Sequence, residues 1–241
     1  MHWYSVTVPD NQRSRRANSL TPVSTTSRRD AVMTEIRRAI VLGTFTPGEK
    51  LTENSLAASL DVSRPTMREA VAQLAQDGLL VQEPYRGLRV ADLNPVAIMD
   101  IARTRVALDF LAAEEILADP TGSRLDLVRQ AWAEYERLPL DADPMQAHDA
   151  HVTFHRNLWV ASQNTLLLRL WPVIEAHLTI VLAHDQATRD DPRRAHQVHK
   201  RLVDAILGGD LEEIRQALVV HTIDSAREVA AVLRQADSAA S

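Results

Sequence analysis

Three histidines fall at positions 148, 151 and 155 in the segment HDAHVTFH. Spacings of three and four residues put them on one face of a helix. The chain has nine histidines and no cysteine, so any transition-metal site must be built from imidazole rather than thiolate. His199 lies among Val198, Leu202 and Ile206, and His221 among Leu218, Val219 and Ile223, which marks both as inward-facing. Imidazoles at i and i+4, joined by others from facing helices, make a divalent-cation site in a helical bundle. A histidine alone on an apolar face is more often a hydrogen-bonded core residue, and spacing by itself leaves both readings open. A carboxylate is missing from the set, although acids behind the rings would be needed to orient them.

Arg105 poses a related question. It shares a helical face with Ile101, Ala102, Leu108 and Ala112, and an inward guanidinium must be paired. Asp109, one turn on, is one partner; an anionic ligand held bidentately is the other.

A second group of residues suits a polyanion. Arg64, Thr66 and Arg68 cluster at the start of RPTMREAVAQLAQDG, off the apolar face of Met67, Ala70, Val71, Leu74 and Ala75. Ser63 is a natural N-cap, Pro65 suits the first turn, and Gly78 follows the last. Free amides and the dipole at a helix N-terminus also favour phosphate. Arg86 and Arg89 sit on or beside a Pro/Gly-containing turn in LLVQEPYRGLRVADL.

The elements that must position these groups follow from periodicity and turn chemistry. Residues 1–27 are polar and aperiodic and read as a flexible tail. Val32, Ile36, Ile40 and Val41 predict a helix from about Arg28 to Gly43, TPGEKL is a turn signal, and TENSLAASL is a short helix that Thr52 caps. With the third helix and the strand-turn-strand that follows, residues 28–92 read as a winged helix-turn-helix whose third helix meets base edges. Residues 93–241 read as an all-helical bundle, with helices near 95–118, 123–138, 144–162, 164–183, 191–207 and 210–235. The fold class is therefore mainly α. No repeat and no sustained heptad is visible.

Composition agrees with this division. The net charge of −5 disguises an asymmetry: residues 1–92 carry 12 Lys+Arg against 10 Asp+Glu, and the remainder carry 15 against 22. Any contact with a polyanion therefore belongs to the front of the chain. The sequence suggests no apolar run approaching a membrane span, and its start lacks the apolar stretch of a secretory signal. With no cysteine, it suits a reducing cytoplasm.

The segment IRRAIVLGTFTPGEKLTENSLAASLDVSRPTMREAVAQLAQDGLLVQEPYRGLRV resembles the DNA-binding domain of the GntR family of bacterial transcriptional regulators. The carrying pattern is G-x-x-x-P-G-x-x-L, V-S-R-x-x-x-R-E-A, L-x-x-x-G-L and R-G-x-x-V. The resemblance implies double-stranded DNA as partner. Ser63, Arg64, Thr66 and Arg68 then face or position it, Asn54 lies beside the duplex, and Arg86 and Gly87 form the wing tip. Asp61 stands where the family usually has Gly, and Asp tolerates left-handed backbone better than most residues.

The later segments RTRVALD, FHRNLWVASQN, HQVHKRLVDAILGGD and VVHTIDSA resemble the FCD ligand-sensing domain of the FadR-like subfamily. Many members bind a divalent metal through D-x-x-x-H on one helix and two later histidines. Here that implies His155, His199 and His221, with His151 in place of the aspartate and His148 exposed or supporting the ligands. Neutral imidazoles in place of a carboxylate shift preference from manganese or magnesium toward zinc, nickel or copper, with zinc or nickel foremost. Arg105 aligns with an arginine that some relatives place near a ligand carboxylate.

The resemblance implies a cytoplasmic homodimer on a palindromic operator, with no membrane partner, controlled by a small organic acid or similar metabolite and more often a repressor than an activator. Two alternatives stand beside it: the same regulator with a structural or empty metal site and no effector, and a metalloenzyme. Four protein ligands and the absence of H-E-x-x-H argue against the last.

Overall fold

The computed structural model describes residues 27–83, 87–188 and 191–239. The expected tail up to Thr26, and Arg86 at the wing tip, lie outside the described residues.

The front domain comprises α1 (Arg28–Val41), β1 (Lys50–Leu51), α2 (Glu53–Ser59), α3 (Arg64–Asp77), β2 (Leu80–Glu83) and β3 (Gly87–Val90). Ser27, Thr52 and Ser63 each accept a backbone N–H in the first turn of the helix they precede. Asp61 holds φ +49°, so the turn between α2 and α3 has the left-handed residue the family provides with glycine. The strands form an antiparallel sheet in the order β1-β3-β2, with Leu51 opposite Leu88 and Leu80 opposite Val90. Strand β1 lies where only a turn was expected. Its two residues are too short for periodicity to detect, and pairing with β3 alone defines them.

The helical domain comprises α4 (Pro95–Leu117), α5 (Ser123–Tyr135), α6 (Pro144–Ser162), α7 (Thr165–Thr188), α8 (Pro192–Gly208), α9 (Leu211–Leu218) and α10 (Ser225–Ala239). Asn94, Asp143, Asp191 and Asp210 cap α4, α6, α8 and α9, and a proline opens each of the first three. The single final helix expected over 210–235 is interrupted by a π-helical segment, Val219–Asp224, which carries His221. An inserted residue leaves hydropathy periodicity almost unchanged, so only packing shows it.

One helix also corrects the reading of the apolar runs. Thr165–His184 of α7 is long and apolar enough to cross a membrane by length and composition, with a mean hydropathy of 1.6 over its most apolar window. Trp171, Ile174, Ala176, Leu178 and Ile180 are instead buried in the protein core, while Leu166, Leu170 and Val173 are exposed.

Two apolar clusters organise the molecule. The first joins Ile36, Met67, Leu74 and Leu80 of the front domain to Ile98, Ala102, Ala176, Ile180 and Val229 of the helical domain. The second, around Phe154, Trp159, Trp171, Leu202 and Leu218, lies within the helical domain. The winged domain is therefore seated on α4, α7 and α10 by shared core, as well as tethered by its connection.

Candidate metal centre and nucleic-acid interface

Helices α6 and α8 and the π segment bring His151, His155, His199 and His221 together, with one ligand nitrogen from each within 4.8 Å of the others. His155, His199 and His221 are buried to 0%, 1% and 5% exposure. Their Nε2 atoms converge: His155 lies 3.2 Å from His199 and 2.9 Å from His221. His151 packs its ring beside the other three, and is half-buried.

Proton accounting tests whether a cation fits. His199 Nδ1 donates to the Ala195 carbonyl at 2.6 Å, which leaves its Nε2 as a lone pair and fixes the ring. His155 Nε2 has only one proton or one lone pair, yet it faces two other ring nitrogens. A cation at the convergence point satisfies all three lone pairs. Burial, reinforced by the Arg105 guanidinium and by the neighbouring imidazoles, holds His155 and His221 well below the ordinary histidine range. Burial brings His199 down to about 3. Neutral imidazole is the ligating form, so the residues present fit a divalent metal.

Arg105 is 5% exposed and has the Asp109 partner anticipated for it. Its Nε is 3.2 Å from Asp109 Oδ2, and Asp109 Oδ1 accepts from Trp159 Nε1 at 2.6 Å. Its Nη2 is 3.5 Å from His221 Nε2. Arg105 also lines a cavity of about 110 Å³ that opens on the cluster between α4, α7, α8 and the π segment. Ile98, Ile101, Val181 and Val198 supply apolar walls. Thr222 also lines the cavity, and its hydroxyl is buried without a hydrogen-bond partner among the described residues. Sequence reading missed Trp159 and Thr222. The first signals its role only through Asp109 across the bundle, and the second faces the cavity because of the π segment.

His148 departs from expectation. It is 4% exposed, and its Nε2 contacts Thr179 Oγ1 on α7 at 3.0 Å rather than any ligand histidine. One helical turn separates it from His151, and that turn rotates it toward α7 and α1.

At the other end of the molecule, Ser63 Oγ accepts from Thr66 N at 3.3 Å and lies 2.8 Å from Thr66 Oγ1. Arg64 and Arg68 extend into solvent from the first turns of α3, and Asn54 is exposed on α2. Arg68 Nε lies 3.9 Å from Glu53 Oε2, and the arginine side chain is 76% exposed. Gly87 has φ +81° with open space where a Cβ would stand, so its backbone conformation is what requires glycine. Arg89 is occupied: it donates to the Gly48 carbonyl at 3.2 Å and braces the wing instead of extending from it.

Two family profiles match the chain: "Bacterial regulatory proteins, gntR family" over residues 28–90 and "FCD domain" over residues 100–225. The "Probable D-xylose utilization operon transcriptional repressor" of Paenarthrobacter nicotinovorans is 30% identical over 198 residues, 80% of this chain and 86% of that protein. The "HTH-type transcriptional regulator LutR" of Bacillus subtilis (strain 168) is 26% identical over 200 residues, 74% of this chain and 90% of that protein. A putative GntR regulator from Rhodococcus sp. RHA1 superposes with a TM-score of 0.68 at 26% identity, covering 85% of this chain and 98% of that one. "E. coli McbR/YncC" shares the fold, with a TM-score of 0.66 at 19% identity over 88% of this chain and 99% of its own. With a gntR-family profile at the front, an FCD-domain profile over more than half its length, and regulators as its relatives, this chain belongs to the GntR family of bacterial transcriptional regulators, in the branch that carries an FCD domain.

Proposed function

We propose that this regulator is a cytoplasmic homodimeric repressor whose grip on a palindromic operator is set by a small carboxylate bound beside a zinc or nickel ion. The observation that carries this reading is the convergence of four imidazoles at a cavity that Arg105 also lines. His155, His199 and His221 would hold the metal, with His151 as the fourth ligand in the position where many relatives have aspartate. The bound ion would supply a Lewis-acid anchor for an anion. Arg105, aimed by Asp109, would orient the second carboxylate oxygen, while Ile98, Val181 and Val198 would exclude water around the apolar part of the ligand.

At the DNA, Arg64, Thr66 and Arg68 would meet base edges and phosphates from the N-terminal end of α3. Ser63 would hold that end in place, Asn54 would lie against the backbone, and Gly87 would let the wing approach. A palindromic site calls for a two-fold protein, and the exposed Leu166, Leu170 and Val173 on α7 offer an apolar stripe for a second copy. The repressor sign rests on the relative named as a D-xylose operon repressor.

Metal analysis of untagged protein tests the reading, paired with a His155→Ala/His199→Ala variant. About one zinc or nickel per chain, lost in the variant, is the expected result. Wild-type protein that takes up neither metal would reduce the function to DNA binding alone. Metal that binds without strengthening retention of a simple carboxylate such as acetate would make the ion structural.

A further inference from the structure

His148 is the histidine of the stripe that the metal centre leaves over, and its surroundings lead to the DNA-binding domain. It lies one turn before His151 on α6, buried against α7. Thr179 donates its only hydroxyl proton to the Glu175 carbonyl at 2.9 Å. Its oxygen must therefore accept from His148 Nε2, 3.0 Å away. Helix α1 of the winged domain packs on both α6 and α7 at this place. Arg37 of α1, Glu175 of α7 and the exposed Asp149 beside His148 are the charged groups that act on the imidazole.

Arg37 continues the connection. Its Nη2 is 3.6 Å from Oδ2 of Asp77, the last residue of α3. Asp77 is 5% exposed and accepts from Gln73 Nε2 at 2.9 Å. A carboxylate at a helix C-terminus opposes the dipole, so Asp77 depends on Arg37 to remain there. The next residue, Gly78, lies against His177 of α7, where a Cβ would make van der Waals contact at 3.4 Å from Cε1.

We propose that His148 and Thr179 transmit metal occupancy at His151 to the C-terminal end of α3, through Arg37 and Asp77. This rests on the metal reading above and makes His148 a positioning residue rather than a ligand. The displacement follows from coordination geometry. Zinc–nitrogen bonds near 2.0–2.1 Å hold neighbouring ligand nitrogens about 3–3.4 Å apart. The four nitrogens here are spread over as much as 4.8 Å, while His155 already meets His199 and His221 at 3.2 and 2.9 Å. Coordination closes the widest of these separations, and His151, whose Nε2 is buried without a hydrogen-bond partner among the described residues, is the ligand least held in place. His148, one turn away on the same helix, moves with it. A shift of α6 by about 1 Å breaks this 3.0 Å hydrogen bond unless α7 follows. Either response reseats α1 and the end of α3.

Hydrogen exchange on the full chain, in zinc and in EDTA, tests this without an operator. Zinc should slow exchange in peptides bearing His155, His199 and His221, and should also change exchange over residues 70–80. Thr179→Val should still bind zinc and protect the ligand peptides, but its response over 70–80 should fall about threefold or more. Thr179→Ser should restore the response. Arg37→Gln should remove it by an independent route if the valine variant folds poorly. A response over 70–80 that survives both Thr179→Val and Arg37→Gln overturns the relay, as does a wild-type response confined to the ligand peptides. Failure of zinc to bind at all overturns the metal reading and the relay together.

Discussion

Acidification of the metal-free protein should cost it several kcal/mol of stability before most carboxylates titrate. His155, His199 and His221 are all at most 5% exposed, and burial holds each below its ordinary range, His199 at about 3. In the unfolded chain each takes up a proton near pH 6.5. A histidine whose folded pKa is depressed contributes its full share above that value and loses it as pH falls, until the folded pKa is reached. At pH 5.5 the unfolded state thus gains about 1 to 1.5 kcal/mol for each imidazole that stays neutral in the fold. Three together give about 4 kcal/mol, a large part of the 5–15 kcal/mol that holds a typical domain together. His151 is half-buried and is left out of the sum. Urea unfolding followed by circular dichroism in EDTA, at pH 7.5 and 5.5 and constant ionic strength, measures the difference directly. Replacing the three histidines by glutamine should remove most of it. A change below about 1 kcal/mol in the native sequence would refute the buried neutral cluster. Saturating zinc at pH 7.5 should add about 3 kcal/mol at a hundredfold excess over Kd, and lose that addition faster than the metal-free protein loses stability in acid.

Other perturbations follow from the same geometry. Arg64→Ala should weaken binding to an operator selected from random DNA; fluorescence anisotropy should show either a loss of about 1–3 kcal/mol at particular bases or a salt slope reduced by about 1. Ser63→Ala removes the cap of α3 and should lower unfolding free energy by about 1 kcal/mol, measured by urea titration. Arg105→Met strands the buried Asp109 and should cost about 3–5 kcal/mol. Adding Asp109→Leu should recover much of that stability without recovering carboxylate binding, as read by calorimetry with acetate on the metal-loaded protein. Leu170→Glu on the exposed stripe of α7 should convert a dimer to a monomer in light scattering; unchanged mass would place the two-fold interface elsewhere.

Much of this protein was legible in its residues. The helix-turn-helix was marked by caps, a proline, glycines and apolar periodicity, all local signals that act within one or two turns. The inward stripes of His155, His199 and His221 could be read for the same reason. Tertiary packing decided what local spacing leaves free. His148 and His151 share a nominal stripe, yet one turn sends His148 to Thr179 on α7 and His151 to the histidine cluster. Arg89 looked like a DNA contact until the sheet brought it to the Gly48 carbonyl. The π segment places His221 and Thr222 together at one cavity, an outcome that a uniform helical period does not encode. The apolar run of α7 packs one face against both clusters, a placement that its hydropathy does not encode. Short-range preferences determine which elements form and which faces are apolar. The partner of each polar group is chosen by helices distant in sequence, because pairing energy depends on the distance and burial that only the assembled core supplies.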